Sequence, residues 1–263
     1  MKALLRLALS AVLAATAALA AAQPAPSVKQ RQVDVPNKIL FVGNSYFYYN
    51  DSLHNHLRRM AIAGDPSLEK VLQYKIVTIG GAPLAHHDVA AYVAPGKLGM
   101  KDPYDVVILQ GNSGAALADA RMKSFREKVV EFNGDIAKTG AKTALYMTHA
   151  YVAPNKDASP DMIRKVEAMY VATGNEVGAL VIPVGLAFEE AYRQRPGMQL
   201  HKTYDGSHPN LEGTYLAACV VYASLYGKSP VGNPYDYFGK VDKETAAFLQ
   251  RVAWETATKF YAR

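Results

Sequence analysis

Five short runs rich in β-branched and other apolar residues, at 39–42, 74–79, 106–109, 143–147 and 180–184, are separated by segments of helical pattern. Over 121–138 the apolar Met122, Phe125, Val129, Phe132 and Ile136 recur every third or fourth residue, which aligns them on one helix face. Met162, Val166, Met169 and Tyr170 repeat that spacing after Ser159-Pro160, a helix start. Segments 51–63 and 242–260 read the same way, and an apolar helix around Cys219 stands between them. Short apolar strands alternating with helices imply crossover connections and a parallel sheet covered on both faces. The expected fold class is therefore α/β, a three-layer α/β/α sandwich of flavodoxin-like type with about five parallel strands.

In open parallel sheets ligands bind beyond the carboxyl ends of the strands, where the strand order switches. The segment after each run is therefore the place to look for chemistry. The first run leads into Gly43-Asn44-Ser45-Tyr46, the second into Gly80-Gly81-Ala82-Pro83 and then His86-His87. The third leads into Gln110-Gly111-Asn112-Ser113 and the fourth into Thr148-His149-Ala150-Tyr151. Ahead of the Cys219 helix stands Tyr204-Asp205-Gly206-Ser207-His208-Pro209. Taken singly, each of these is an ordinary turn or cap. Taken together they supply what acyl transfer by serine requires: a hydroxyl, a base, a group that orients the base, and donors for an oxyanion. Ser45 offers the hydroxyl and His208 the base, with Asp205 three residues earlier to hold the imidazole tautomer. The backbone N–H groups of Ser45 and Gly81 and the amide of Asn112 are the candidate oxyanion donors.

These blocks resemble those of the SGNH, or GDSL-type, hydrolases. "FVGNSY" is similar to the first block, with Ser45 in the nucleophile position, Gly81 carries the second and Asn112 of "QGNS" the third. "DGSHP" resembles the closing block, with Asp205 and His208. The match spans about 38–230, and the long stretch from Tyr204 to Gly232 resembles a little-characterised secreted or periplasmic branch. The resemblance implies a serine ester hydrolase working without a cofactor. Three positions depart from the usual pattern: Asn44 stands where many members have Asp, Gln110 replaces a glycine, and Ser113 replaces an Asp.

Composition narrows the remaining choices. Residues 1–22, with Lys2, Arg6 and a Leu/Ala-rich stretch before "ALAAAQPAPS", read as a secretory signal peptide cut after Ala22 or, as second choice, Ala20. Residues 23–37 then form a linker and 38–263 a single domain, exported to the periplasm or beyond the cell. No stable membrane insertion is expected after cleavage. The only cysteine, Cys219, lies in an apolar stretch, so no internal disulfide forms and the thiol reads as core filler. The formal charge is +6; without Lys2 and Arg6, 27 basic residues face 23 acidic ones, a net +4 scattered along the chain. No basic run suggests a nucleic-acid partner. No H-E-x-x-H pair or Cys-rich cluster suggests a metal, and no G-x-x-x-x-G-K-[ST] loop suggests a nucleotide.

The expected substrate is a small-molecule or carbohydrate ester with an acetyl or other short acyl group. Asn44, Tyr46, Gln110, His86 and His149 are the candidate substrate-contacting residues. The alternative is a non-catalytic periplasmic glycan-binding protein that keeps the pocket, and the Gln110 and Ser113 departures favour it.

Overall fold

Side chains alternate along a strand, so Ile39 and Phe41 face one side of the first strand while Leu40 and Val42 face the other. All four are fully buried, and a strand apolar on both sides needs cover on both. The computed structural model describes residues 24–263; the segment read as a signal peptide, 1–22, lies outside them. Strands β1 (Lys38–Gly43), β2 (Gln73–Thr78), β3 (Val106–Leu109), β4 (Lys142–Tyr146) and β5 (Leu180–Ile182) form one wholly parallel sheet. Their order is β2-β1-β3-β4-β5, so the direction of succession reverses between β1 and β3.

The helices are α1 (Ser45–Tyr48), α2 (Leu53–Gly64), α3 (Val89–Val93), α4 (Asp119–Lys138), α5 (Met162–Val177), α6 (Val184–Gln194), α7 (Leu211–Tyr226) and α8 (Lys243–Tyr261). On one face Ile39, Phe41, Ile108, Tyr146 and Ile182 pack with apolar residues of α2, α6, α7 and α8. On the other, Leu40, Val42, Leu109, Leu145 and Met147 pack with Phe125 and Val129 of α4 and Val166 and Tyr170 of α5. Burying each large aliphatic or aromatic side chain contributes about 1.5–3 kcal/mol, which lets this sheet stand without a disulfide. Helix α7 is buried along most of its length between α2 and α8, and Cys219 within it is a buried thiol that desolvation pushes up, away from reactivity.

Two local differences from the sequence reading have physical causes. The fifth run was expected to continue to Val184, but β5 ends at Ile182 because Pro183 follows and Val184 already opens α6. The stretch read as a linker is tied down over 24–37. Asn175 Oδ1 accepts from Ser27 N at 2.6 Å, its Nδ2 donates to Ala25 O at 3.0 Å, and Gln32 reaches Gly178 O. Val28, Val33 and Val35 pack against the core. No helix among the described residues is long and apolar enough to cross a membrane.

Candidate active site

The carboxyl end of β1 is fixed from both sides before the chain turns. Gly43 O accepts from Ile79 N at 3.1 Å and from His87 Nε2 at 3.0 Å, and Val42 O accepts from Gln110 N at 2.9 Å. Position 43 suits glycine because a Cβ there would stand 2.5 Å from Gln110 Oε1, 2.9 Å from Gln110 Cβ and 3.0 Å from the buried Phe47 ring. That same Oε1 accepts the Asn44 N–H at 3.0 Å. Gln110, the residue that departs from the usual third-block glycine, therefore holds the turn leading to Ser45.

Asn44 caps the one-turn helix α1, its Oδ1 accepting from Tyr46 N at 3.3 Å, and its Nδ2 donates to Ala82 O at 3.1 Å. Asn112 Nδ2 donates to the neighbouring Gly81 O, also at 3.1 Å, and its Oδ1 accepts from Gly114 N at 3.0 Å. First and third loops are thus both tied to the second, which brings Ser45, Gly81 and Asn112 to one rim. Gly81 has φ +69°, a left-handed conformation that suits glycine. Neither its N–H nor that of Ser45 donates to a protein group among the described residues. One Asn112 amide proton is used on Gly81 O and the second remains a donor.

The late turn completes the arrangement. His208 Nδ1–H donates to Asp205 Oδ2 at 2.6 Å, leaving the Nε2 lone pair to face the Ser45 hydroxyl at 2.9 Å. Asp205 Oδ1 accepts the backbone N–H groups of Ser207 (2.8 Å) and His208 (3.0 Å). Partial burial pushes the Asp205 carboxyl up, but the Ser207 N–H, the imidazole and the His208 N–H outweigh it and hold the group below its ordinary value. The carboxylate is therefore charged at neutral pH, ready to stabilise an imidazolium. Gly206, at φ +61°, lets the turn pass against Val152, whose carbonyl carbon and oxygen leave no room for a Cβ.

Of the residues expected to touch substrate, His86 is exposed, while Asn44, Tyr46, Gln110 and His149 are almost wholly buried. The last four lie behind the nucleophile, where most of their polar atoms are engaged inside the protein, although His149 Nδ1 is buried without a partner among the described residues. The Tyr46 ring is stacked on His149 at 4.3 Å, and its hydroxyl meets Ser207 Oγ at 2.9 Å. His149 Nε2–H donates to Ser207 O at 2.8 Å. Burial, reinforced by the neighbouring His201, drives His149 well below the ordinary histidine range, so it is neutral. Of the aromatic run Tyr46-Phe47-Tyr48-Tyr49 that follows the nucleophile, which on a cleft rim would suit stacking on a sugar, Tyr48 and Tyr49 line the open side together with Tyr204. Tyr49 is stacked on His208 at 4.5 Å and on Tyr48 at 5.5 Å, and Tyr48 and Tyr204 are exposed at 42% and 68%. Hydrogen bonding with Tyr204 pushes the Tyr49 phenol up. Among the described residues no three His, Cys, Asp or Glu side chains converge as metal ligands would.

No protein-family model and no curated protein matches the chain in sequence. Solved structures do match its fold. A DUF4886 family protein from Bacteroides uniformis superimposes with a TM-score of 0.63 at 20% identity, over 83% of this chain and 93% of that one. A proposed SGNH hydrolase from Slackia heliotrinireducens gives 0.55 at 21% identity, over 71% and 97%. An acetyl xylan esterase gives 0.56 at 15% identity, over 72% and 99%. The fold is that of the SGNH hydrolases. In this SGNH-type fold the switch between β1 and β3 places the Ser45 and Asn112 loops side by side, as expected for a site at a switch point.

Proposed function

We propose that the protein is a serine carboxylic-ester hydrolase acting through an acyl-enzyme. The observation that carries this reading is the continuous Asp205–His208–Ser45 relay, with contacts of 2.6 and 2.9 Å. A binding protein has no use for an imidazole held in one tautomer against a serine hydroxyl.

In the first half-reaction His208 Nε2 takes the Ser45 proton as Oγ attacks the ester carbonyl carbon. Negative charge collects on the carbonyl oxygen and is met by the Ser45 and Gly81 N–H groups and the Asn112 amide. Each such donor contributes about 10²–10³ in turnover in comparable sites. The carbon–oxygen bond to the alcohol breaks, and the alkoxide leaves with the proton from His208. Water then attacks the acyl-enzyme with His208 again as base, releasing the acid and restoring Ser45.

His208 protonates the leaving group, so the alcohol lies on its side of the site, along Tyr48, Tyr49 and Tyr204. Exposed phenols pair an apolar face with a hydrogen-bonding tip, which suits a sugar ring. We therefore take a carbohydrate carrying a short acyl ester as the substrate class, met in the periplasm or outside the cell after signal cleavage. The fold relationship to an acetyl xylan esterase agrees with this as an analogy of fold.

The test is a fluorophosphonate probe together with p-nitrophenyl esters of increasing acyl length and acetylated oligosaccharides. The expected result is labelling and hydrolysis by the wild type, both lost in Ser45→Ala, with turnover lost in His208→Ala. Unlabelled wild-type protein that binds oligosaccharide without hydrolysing any ester would establish the glycan-binding alternative instead.

A further inference from the structure

A second feature meets the proposed oxyanion donors at Asn112. A groove of about 340 Å³ is lined by Pro83, Leu84, Ala115, Phe125, Arg121 and Asn112, among others. Its walls are mostly apolar, and it shares Asn112 with the oxyanion donors. Arg121 stands at the same end. A Cβ built on Gly114 would lie 2.8 Å from Arg121 Nη1, 3.4 Å from Tyr151 OH and 3.6 Å from Asn112 Oδ1. One guanidinium nitrogen is thus within a few atoms' length of the oxyanion amide.

Arg121 has no acidic partner among the described residues. It also sits in the first turn of α4, where the helix dipole is positive and a cation is unfavourable. A larger hollow, of about 500 Å³ beside α6, is different. Its arginines Arg164, Arg193 and Arg263 are all paired, with Glu167, Glu189 and Glu190. The exposed Arg121 guanidinium is thus a cation without an acidic partner among the described residues, set at the Asn112 end of this groove.

We propose that this groove is the acyl subsite and that it accepts a short acyl chain ending in a carboxylate, as in the monoester of a small dicarboxylic acid. The assignment rests on the ester-hydrolase reading. With the alcohol on the His208 side, the acyl substituent must project the other way, past Gly81 and Asn112. Its methylenes lie along Leu84, Ala115 and Phe125, and its far carboxylate meets Arg121, whose planar fork accepts a carboxylate through two hydrogen bonds. The chemistry is unchanged: Ser45 Oγ bonds to the proximal acyl carbon, the alcohol leaves protonated, and water releases the diacid.

The test compares monoethyl succinate with ethyl succinamate, which has the same shape and no charge, by pH-stat at low ionic strength. The expected kcat/KM ratio is about tenfold in favour of the acid in the wild type, the scale of one charge-assisted contact. It should shrink as salt is added, approach one in Arg121→Gln, and recover in part in Arg121→Lys. A wild-type ratio of one or less, or a ratio untouched by Arg121→Gln, overturns the proposal. So does a protein that is labelled at Ser45 and hydrolyses neither ester. If neither ester is hydrolysed and no probe labels Ser45, the ester-hydrolase reading falls with it.

Discussion

The hydroxyls of Tyr46 and Ser207 meet at 2.9 Å behind the Asp205–His208–Ser45 relay, and each belongs to the chain neighbour of one of its members. Tyr46 follows Ser45, and Ser207 precedes His208. Because His149 stacks on the Tyr46 ring and donates to Ser207 O, the two segments are joined twice, through a side chain and through the backbone. The separation between Ser45 Oγ and His208 Nε2 is thereby set by groups buried behind it.

Tyr46→Phe keeps the stacked ring and removes the hydroxyl, leaving Ser207 Oγ buried without its partner. The expected cost is about 1–2 kcal/mol of stability. Loss of alignment should lower kcat by about five- to tenfold, with KM within about twofold of wild type. Steady-state kinetics on a short-chain ester check this. A purely structural role would lower the melting temperature and leave kcat of the folded enzyme unchanged.

Asp205→Asn preserves size while removing the charge that fixes the His208 tautomer. A neutral amide at this place favours the tautomer whose Nε2 carries the proton, which leaves no lone pair for the Ser45 hydroxyl. Turnover should fall by about 10³–10⁴-fold, with the protein still folded by circular dichroism. A loss under tenfold would show that the carboxylate only shapes the turn.

Two glycines with positive φ should respond differently to alanine. Around Gly81 (φ +69°) a Cβ meets nothing within 4 Å, so Gly81→Ala adds only backbone strain of about 1 kcal/mol. The resulting shift of its N–H should reduce kcat without unfolding the protein. At Gly206 (φ +61°) the Cβ would stand 2.0 Å from Val152 O, and the turn carrying Asp205 and His208 must move. Gly206→Ala is expected to destabilise by more than about 3 kcal/mol or to fail to accumulate. Melting temperatures and ester turnover of the two variants separate these outcomes.

The parallel sheet was legible because β1, β3 and β4 are apolar on both faces and read as continuous runs between helical periodicities. The partners Ser45, Asp205 and His208 were legible as residue types placed after strands or before a helix. What remained hidden depends on packing. Val184 is as apolar as the strand before it, so the sequence pattern ran through Pro183 into α6. Tyr46, Gln110 and His149 are polar residues in loops, which usually means a wet rim. Here they are buried because each finds a partner supplied by a distant segment: Ser207, Asn44 N and Ser207 O. The Arg121 groove joins the second loop to the start of α4, a juxtaposition that no local pattern announces.

The buried imidazoles give the fold a definite acid response. Burial lowers His201 to about 4, against the opposing effects of its bond to Ala150 O and of the Asp205 charge, and lowers His54 to about 4 as well. His149 is pushed well below the ordinary range and His87 in the same direction. Between about pH 6.5 and 4 the unfolded chain therefore takes up protons that the folded one refuses. Stability is complete above pH 6.5 and declines as the pH falls towards 4. For His201 alone the decline amounts to roughly 3 kcal/mol across that window. Urea denaturation of Ser45→Ala at pH 7.5 and 4.5 should show a loss of at least about 2 kcal/mol. His201→Gln, which replaces the titrating ring with a neutral amide, should flatten part of the slope. Equal stability at the two pH values would mean that these imidazoles are protonated in the folded protein, and the stacked His149 that ties Tyr46 to Ser207 would then carry a charge that its surroundings do not compensate.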